Sequence, residues 1–515
     1  MDNSESSWLE VPEHLHGKVN IDIAKMVVNV ATQTSYDPIF LTWLERNKTI
    51  GFDFFVETSS LEDLKETQNY KRADTDLDLK VRSRALDIIT TAAKHGASDV
   101  HIMLRAGFCD IQLCVKGGLR SLEQVDVLEG ESIIRAIYQG LAETRDASYQ
   151  PLDFQNAQIP GHVFPSNSGI SSVRVVRGPC YPQPAGSFLT LRIQYFGSHL
   201  EQNELVQLRP LFYPRRPERS QRFFEMGFSA DQIEKIKLMM DMPNGLIVFT
   251  GSTGSGKTTT MFEVLQELAR TKPWRRQVTI EDPVEYPMPW AVQMAVTDAK
   301  DDETTGKAFG DRVRVSLRMA PHIILLGELR GPEVALAALE AALTGHQVWT
   351  TMHVNDPFAF VDRFEIMDNA RLNRKVFCDH KVLRAIVAQR VVPRLCDACS
   401  IRMIDSANFP ERIMNNLCTW GEIGNVRITG NGCDACNGDG TTGRFAVAEI
   451  ILLDFELMQD FVNYGSDVAR KNYRSRPNAE MPMLERAINH VLEGRLDPLR
   501  IEELIDLIPK KGEVT

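Results

Sequence analysis

The feature that most constrains this chain is a glycine-rich octapeptide, GSTGSGKT, at residues 251–258. It matches G-x-x-x-x-G-K-[ST], a loop whose glycines let backbone N–H groups close around phosphates. The apolar segment GLIVFT comes before it, and TTTMFEVLQELAR, with the apolar spacing of a helix, comes after it. Because the motif requires a strand before the loop and a helix after it, the sequence predicts a nucleoside triphosphate site. A chance glycine-rich turn is the alternative, and it leaves these flanks unexplained.

The predicted nucleotide-binding residues are the eight loop residues and the one that follows them. Lys257 is expected to reach the β and γ phosphates, and the Thr258 hydroxyl is expected to ligate Mg²⁺. The helix N-terminus adds the positive end of its dipole. The full set is Gly251, Ser252, Thr253, Gly254, Ser255, Gly256, Lys257, Thr258 and Thr259.

A candidate catalytic acid lies near the end of the apolar segment HIILLGELR at residues 322–330. Glu328 stands at the end of this predicted strand, where a carboxylate can orient or activate an attacking water. Gly327 stands where many P-loop enzymes carry an Asp associated with Mg²⁺. A buried strand that ends at a surface glutamate is the plain alternative, and the P-loop upstream makes it the weaker interpretation.

Strands and helices alternate from residue 221 onward, which predicts an α/β domain with a mainly parallel sheet. The predicted strands are GLIVFT, QVTIED, HIILLGE and HQVWTTMH. Upstream, the helical pattern RALDIITTAAKHG is followed by four strand-like segments, which predicts a smaller α+β domain. We therefore expect four segments: an extension at 1–80, the α+β domain at 81–200, a linker at 201–225 and the α/β domain at 226–515.

The extension and the linker carry weaker patterns. IDIAKMVVNVATQTS (21–35) has the spacing of an amphipathic helix, and the charged stretch 61–80 is expected to be a helix or a flexible connector. The basic stretch RPLFYPRRPERSQR (209–222) is expected to be a solvated, proline-broken linker.

Charge and hydropathy exclude several classes of protein. A formal net charge of −11 argues against a protein that tracks nucleic acid, because phosphate contacts need clustered Lys and Arg. No apolar run reaches the roughly 18 residues that cross a bilayer, and the first twenty residues lack a secretory signal pattern. We therefore expect a cytoplasmic protein that inserts no segment into a membrane and reaches one only through a partner.

Four of the nine cysteines form two CxxC pairs separated by 33 residues. Cys396, Cys399, Cys433 and Cys436 can place four thiolates tetrahedrally around one Zn²⁺, and such a closed site is structural. Free thiols or a redox dithiol are the alternatives. Cys418, between the pairs, is expected to be a buried apolar residue.

Several segments in order resemble the secretion and pilus ATPase superfamily. GLIVFTGSTGSGKTTT resembles its P-loop, TIEDPVEY (279–286) its Asp box, and LLGELRGPEVALAALEAALTGHQVWTTMHVND (325–356) its Walker B motif and His box. The resemblance covers about residues 81–455, including GASDVHI. It implies a RecA-like ATPase domain with a tetracysteine zinc loop at about 395–437, behind a smaller PAS-like α+β domain.

The resemblance also implies a function. Members hydrolyse ATP to power type IV pilus assembly or type II secretion, as cytoplasmic homohexamers held at the inner membrane by a polytopic platform protein. The tetracysteine loop resembles that of the assembly branch. A pilus retraction motor, a translocation ATPase acting on nucleic acid in conjugation, and a nucleotide-responsive scaffold with negligible turnover stay open as alternatives.

Roles at matching positions follow from the same resemblance. Glu281, Asp282 and Glu285 would form the Asp box near Mg²⁺ and water, with Glu328 as the Walker B glutamate. His353 would sense the γ-phosphate, and His346 would support the site. Basic residues from the upstream domain or from a neighbouring subunit would complete it, and these are Arg174, Arg192, Arg314 and Arg318.

Two departures from the family pattern are visible. Gly331 replaces the Asp that usually follows the Walker B Arg, and Ala320, Pro321 and His322 replace Asp-Pro-Asp before the strand. Both remove carboxylates and leave the local charge less negative. His346 could instead be a buried histidine at a helix end, and Arg314 with Arg318 could be a solvated helical stripe.

Overall fold

The computed structural model of the 515-residue chain describes residues 11–22, 26–49, 52–61, 64, 76–197, 208–297 and 302–513. These residues form two compact units that divide at Arg84 and Ala85. Among the described residues, every helix is too short or too polar to cross a bilayer.

The strands fall into two large sheets and two small ones. They are β1 (Val19–Asp22), β2 (Val27–Ala31), β3 (Phe55–Ser59), β4 (Ala97–Leu104), β5 (Cys109–Val115), β6 (Gly118–Val125), β7 (Thr144–Arg145), β8 (Gln155–Pro160), β9 (Ile170–Pro179), β10 (Ser187–Tyr195), β11 (Gly245–Thr250), β12 (Gln277–Glu281), β13 (Ala291–Ala295), β14 (Ile323–Leu326), β15 (Gln347–Met352), β16 (Leu383–Leu395), β17 (Ile401–Arg402), β18 (Arg427–Ile428) and β19 (Thr441–Leu452).

The α-helices mostly follow the strands that they cover. They are α1 (Pro38–Thr49), α2 (Asp76–Lys94), α3 (Val127–Arg135), α4 (Ala230–Asp241), α5 (Lys257–Thr271), α6 (Asp302–Leu317), α7 (Pro332–Leu343), α8 (Ala359–Met367), α9 (Arg374–Phe377), α10 (Glu411–Trp420), α11 (Phe455–Tyr464), α12 (Ser466–Arg474), α13 (Met483–Leu492) and α14 (Pro498–Leu504).

The first unit, residues 1–84, contains a three-stranded sheet where the sequence predicts a helix. Its order is β1-β2-β3, and α1 packs on it through Phe40 and Trp43. The amphipathic helix predicted at 21–35 is wrong, because β1 and β2 occupy the described part of that stretch and β2 alternates between half-buried and buried residues. Val28 and Val30 supply this buried face. Most of the charged stretch 61–80 lies outside the described residues.

Residues 85–197 of the second unit, here called the antiparallel domain, form a seven-stranded sheet in the order β6-β5-β4-β10-β9-β8-β7. The helices α2 and α3 cover one face through residues such as Ile88 and Ile134. Gly96 has φ +63 and ends the helical segment, as the sequence predicts. The four predicted strands are present as β4, β5, β9 and β10. Three additional strands, β6, β7 and β8, are more polar and were not predicted. The smaller α+β domain is thus confirmed.

Residues 223–513, here called the P-loop domain, contain the second seven-stranded sheet, in the order β13-β12-β14-β15-β11-β16-β19. All neighbouring strands are parallel except β16 and β19. The predicted α/β fold with a mainly parallel sheet is therefore confirmed.

The central strand β11 shows why its sequence is a continuous apolar run. Leu246 and Val248 enter one core with α6, α7 and α8, whereas Ile247 and Phe249 enter the opposite core with α4 and α5. A strand covered on both faces needs apolar residues at every position.

The two domains of the second unit share one apolar core and several hydrogen bonds. Met103 and Phe188, on the face of the antiparallel sheet opposite its helices, belong to the same core as Val292 of β13. Arg276, directly before β12, donates to Thr190 Oγ1 at 3.4 Å. His322, directly before β14, makes a hydrogen bond to Gly117 O at 2.8 Å. The antiparallel domain therefore lies at the amino ends of these parallel strands.

The connecting segment, residues 208–222, is fastened to both domains. Phe212 exchanges backbone hydrogen bonds with Ser121 of β6. Further along, Arg222 donates two side-chain hydrogen bonds to Glu263 of α5, and Arg219 donates a third. Most residues of the predicted solvated, proline-broken linker are indeed exposed, and two of its arginines also bind Glu263, whose side chain has no exposed surface.

The pair between Arg222 and Glu263 makes a prediction for stability. Arg222→Ala should lower the thermal unfolding midpoint by a few degrees, because it leaves a buried carboxylate with one arginine partner. Differential scanning calorimetry measures the change. Arg216→Ala, on the same segment but beside the exposed ring of Tyr213, is the matched control and should leave the midpoint near that of the wild type. Equal midpoints for the wild type and Arg222→Ala would contradict the role.

Candidate nucleotide-binding and tetracysteine sites

The predicted nucleotide motifs meet at one edge of the parallel sheet. The P-loop follows β11, Glu281 ends β12, Glu328 follows β14, and His353 follows β15. These four strands are neighbours in the sheet and run parallel, so their carboxyl ends share an edge. Ligands of open α/β sheets bind at such an edge.

The glycines of the P-loop fit a close approach to phosphate. Gly254 and Gly256 have φ +78 and +80, in the left-handed region that side chains avoid. A Cβ on Gly251 would lie 2.5 Å from Gln389 O, whereas one on Gly254 would meet nothing within 4 Å. The loop is therefore packed tightly against β16 at one glycine and open at another. The open position, at the start of α5, suits an anion.

Lys257 is largely buried within the loop that precedes it. Its Nζ donates to the carbonyl oxygens of Gly251 and Ser252, each at 2.9 Å. Burial lowers the pKa of Lys257, and the nearby Glu328 and Glu285 carboxylates act against that shift. The Lys257 ammonium group is thus bound to two carbonyl oxygens and lies near two acids. A phosphate bound in the loop would compete with those carbonyl oxygens for its hydrogen bonds.

A buried glutamine of β16, absent from the sequence prediction, braces the P-loop. Gln389 Nε2 donates to Ser255 O at 2.8 Å, and its Oε1 accepts from Thr260 Oγ1 at 2.9 Å. The side chain is fully buried. It connects the loop to the first turn of α5, far along the chain from both, so no local pattern could have revealed it.

The three Asp-box acids have different surroundings. Glu281 is buried and accepts hydrogen bonds from Thr279 and Gln293. Burial raises the pKa of Glu281, and those hydrogen bonds oppose the shift. Asp282 pairs with Arg330 at 3.1 Å, and Glu285 is exposed. Thr259 of the P-loop helix also reaches this segment through the hydroxyl of Tyr286, at 3.0 Å.

Both carboxylate oxygens of Glu328 are held. His353 Nε2 lies 3.1 Å from Oε1, and Arg330 Nε lies 2.9 Å from Oε2. The hydrogen bond to Glu328 raises the pKa of Arg330. Since Arg330 also pairs with Asp282, it joins the Walker B and Asp-box segments. No local pattern in the sequence predicts this role for Arg330.

The four candidate arginines lie elsewhere in the described part of the chain. Arg192 pairs with Asp99 at 2.9 Å across β10 and β4, and the exposed Arg174 is its neighbour across β9. Arg314 pairs with Asp311 on its own helix, and Arg318 donates to Asn156 of the antiparallel domain.

His346 precedes β15, at the opposite end of that strand from His353. Its Nδ1 lies 3.0 Å from Ala341 O. Since a six-residue strand spans about 20 Å, the structure does not bring His346 to the P-loop edge.

The structure shows what His322 and Gly331, the residues that depart from the family pattern, do in this chain. His322 Nδ1 accepts from the backbone N–H of Arg276 at 3.0 Å while its other nitrogen reaches the antiparallel domain, so this histidine docks two domains. Gly331 is the N-cap of α7 and has no side chain to cap it. An aspartate there could accept the free N–H groups of the first turn.

The four CxxC cysteines cluster with the geometry of a metal site. Their sulfurs all lie within 4.8 Å of one another, and three of the pairs are 3.8 Å apart. Zn–S bonds of about 2.3 Å in a tetrahedron separate the sulfurs by about 3.8 Å, so the set fits zinc.

Backbone donors support the thiolate form at this cluster. The N–H groups of Cys433 and Gly440 donate to Cys436 Sγ at 3.2 and 3.1 Å. Desolvation alone would raise the pKa of Cys436, but these donors, together with hydrogen bonds from the Cys399 and Cys433 side chains, lower it to about 6. Cys418 is exposed on α10, so its predicted burial is wrong.

Comparison with known proteins agrees with these motifs. The family model of the type II/IV secretion system protein matches residues 187–505, more than half of the chain. The type IV pilus assembly ATPase PilB of Thermus thermophilus is 35% identical over 239 residues, 46% of this chain and 25% of the relative. The type II secretion system protein HxcR of Pseudomonas aeruginosa is 29% identical over 370 residues, 72% of this chain and 66% of the relative.

A solved structure of the pilus retraction motor PilT with bound ADP aligns with 81% of this chain and 96% of its own, at 19% identity and a TM-score of 0.40. The chain spans from a quarter to just under two thirds of the length of the two curated relatives. The family assignment rests on the sequence match, and by that match the chain belongs to the type II/IV secretion system protein family.

Proposed function

We propose that this chain is an ATPase that powers type IV pilus assembly or a type II-like secretion machine. The observation that carries the proposal is the fixed carboxylate of Glu328, held by His353 and Arg330 at the sheet edge that also carries Lys257. A carboxylate oriented in this way can position a water and accept its proton. The names of the relatives supply the biological setting.

The chain's own residues suit phosphoryl transfer. The open glycine backbone and Lys257 would bind the triphosphate, and His353 would keep Glu328 in place. The Thr258 hydroxyl with the acids Asp282 and Glu285 would hold Mg²⁺, whose charge would offset that of the phosphate oxygens. Arg330 fixes the distance between the Walker B and Asp-box segments.

We also propose that the active sites are shared in a homohexamer. Arg174 and Arg192 belong to the antiparallel domain, which contacts the amino ends of strands whose carboxyl ends carry the P-loop edge. A five-residue strand such as β12 separates those ends by about 16 Å. Arginines on the side of the sheet opposite their own P-loop can instead contact the P-loop of a neighbouring copy. Their positive charge would there stabilise the transition state of phosphoryl transfer. The number six comes from the family resemblance.

The branch of the family, the partner and the location of the proposed motor are inferred from the family resemblance, the tetracysteine cluster and the net charge. The tetracysteine cluster favours the assembly branch over a retraction motor, and a polytopic inner-membrane platform protein is the expected partner. The net charge of −11 argues against nucleic acid as the substrate of the work. The expected location is the cytoplasmic side of the inner membrane, through that partner.

Replacing the water-activating carboxylate tests the catalytic assignment. Glu328→Gln should keep ATP binding but lower turnover by roughly a hundredfold or more, because a positioned general base contributes about that factor. Phosphate release and equilibrium binding of ATP measure the two effects. Glu333→Gln, at an exposed glutamate that opens α7, is the matched control and should retain turnover. Full turnover by Glu328→Gln would refute the role.

Mixing two inactive variants tests the sharing of sites. Lys257→Ala and Arg192→Ala should each be inactive alone and regain partial turnover together, because some interfaces then pair an intact P-loop with an intact arginine. A mixture of Lys257→Ala and Glu328→Gln is the control, since both changes affect the same chain's half of a site, and it should stay inactive. Absence of recovery in the first mixture, or full activity from a monomer, would rule out shared sites.

Metal analysis tests the tetracysteine site. The purified chain should carry about one Zn²⁺, and Cys433→Ser should lose it and unfold the C-terminal region at lower temperature, since metal binding contributes folding free energy. Cys418→Ser, at the exposed cysteine between the pairs, should retain the metal. Elemental analysis that finds no zinc in the wild type would remove the site.

A further inference from the structure

A cavity of about 560 Å³ lies where three parts of the second unit meet. The antiparallel domain contributes the turn between β4 and β5, the connecting segment contributes residues 214–219, and the P-loop domain contributes residues just before β12 and β13. The cavity is thus at the amino ends of the parallel strands, away from the P-loop edge. Nothing in the sequence motifs or in the proposed ATPase mechanism uses it.

The cavity is strongly basic. Its charged lining includes the two acids Asp110 and Glu218 against five arginines, which are Arg105, Arg215, Arg216, Arg219 and Arg275. Asp110 is largely buried and accepts a hydrogen bond from Gln124. Burial raises the pKa of Asp110 and lowers that of Arg275. Among the lining residues five cations face two acids, so full compensation of their charge inside the cavity requires a further anion. A ligand with two or more negative charges would provide it.

Arg105 is the buried anchor of this set. Its side chain is only 8% exposed, and one terminal nitrogen donates to Ala291 O at 2.7 Å. Its buried Nε has no hydrogen-bond partner among the described residues. Buried guanidinium nitrogens are costly when unpaired, so an acceptor inside the cavity would satisfy this donor.

Two half-buried aromatic rings, Phe108 and Trp290, line the same cavity. Trp290 is oriented by a hydrogen bond from its Nε1 to Gln277 at 3.1 Å. Flat apolar faces beside clustered arginines suit a ligand that joins a planar ring to phosphate groups. The volume is within the range of small-molecule sites, about 300–1,000 Å³.

We propose that this cavity is a second nucleotide-binding site, distinct from the P-loop, with the phosphates on the arginines and the base against Trp290. A nucleotide there contacts the antiparallel domain, the connecting segment and the P-loop domain together. Since Arg219 also pairs with Glu263 of the P-loop helix, occupancy of the cavity couples to the ATP site.

Binding measurements on the full chain test the proposal with ADP, GDP and pyrophosphate as probes. Lys257→Ala weakens the P-loop site, so isothermal titration of this variant should still detect one ADP or GDP per chain. Adding Arg105→Gln should weaken this binding at least about tenfold, as should adding Arg215→Gln with Arg216→Gln. Arg500→Gln, at an exposed arginine on α14, is the matched control and should change nothing.

The exposed pair Arg215 and Arg216 keeps the test decisive if the buried Arg105→Gln variant fails to fold, which its thermal unfolding midpoint reports. Absence of ADP and GDP binding in the Lys257→Ala chain would overturn the proposal. Binding that the Arg215→Gln and Arg216→Gln changes leave untouched would do the same. Pyrophosphate binding as tightly as the nucleotides would remove the base from the site and overturn the nucleotide assignment.

Discussion

The arrangement of the site depends on one constraint, the parallel alignment of β12, β14, β15 and β11. Because parallel strands end together, residues as far apart in sequence as Lys257 and His353 arrive at one edge. Each strand delivers one chemical group there, namely a phosphate loop, a carboxylate or an imidazole. The apolar run of β11 is what keeps this edge fixed, since its alternate residues enter the cores on both faces of the sheet.

The parts of the site that are continuous in sequence could be predicted, and the parts made by long-range packing could not. The P-loop, Glu328 and the CxxC pairs each carry a local pattern with a physical reason for its spacing. Gln389 and Arg330 carry none, because a glutamine in an apolar strand and an arginine in a turn acquire roles only through distant partners. The roles of the candidate arginines stay predictions.

The same distinction explains the errors in the fold. Strands are present at 21–35 in place of the expected helix, because pairing of β2 with β1 and β3 outweighs the short helical spacing of apolar residues. The polar strands β6 and β8 gave little hydrophobic alternation for a sequence pattern to detect. The linker is mostly exposed as predicted, but its ion pairs could not be predicted, because nothing in the sequence of the segment indicates the buried acid, Glu263, that two of its arginines bind.

Glu263 lies six residues after Lys257 on a single helix, roughly 9 Å along its axis. The connecting segment is therefore bonded to the helix α5, which begins at the phosphate loop. If nucleotide binding favours one position of the helix, it favours the matching position of the segment, and by reciprocity a force that holds the segment changes nucleotide affinity by the same free energy. In the proposed motor, the pair between the half-exposed Arg222 and the buried Glu263 would transmit force between the segment and the helix, and its stiffness would limit how much of each movement is lost.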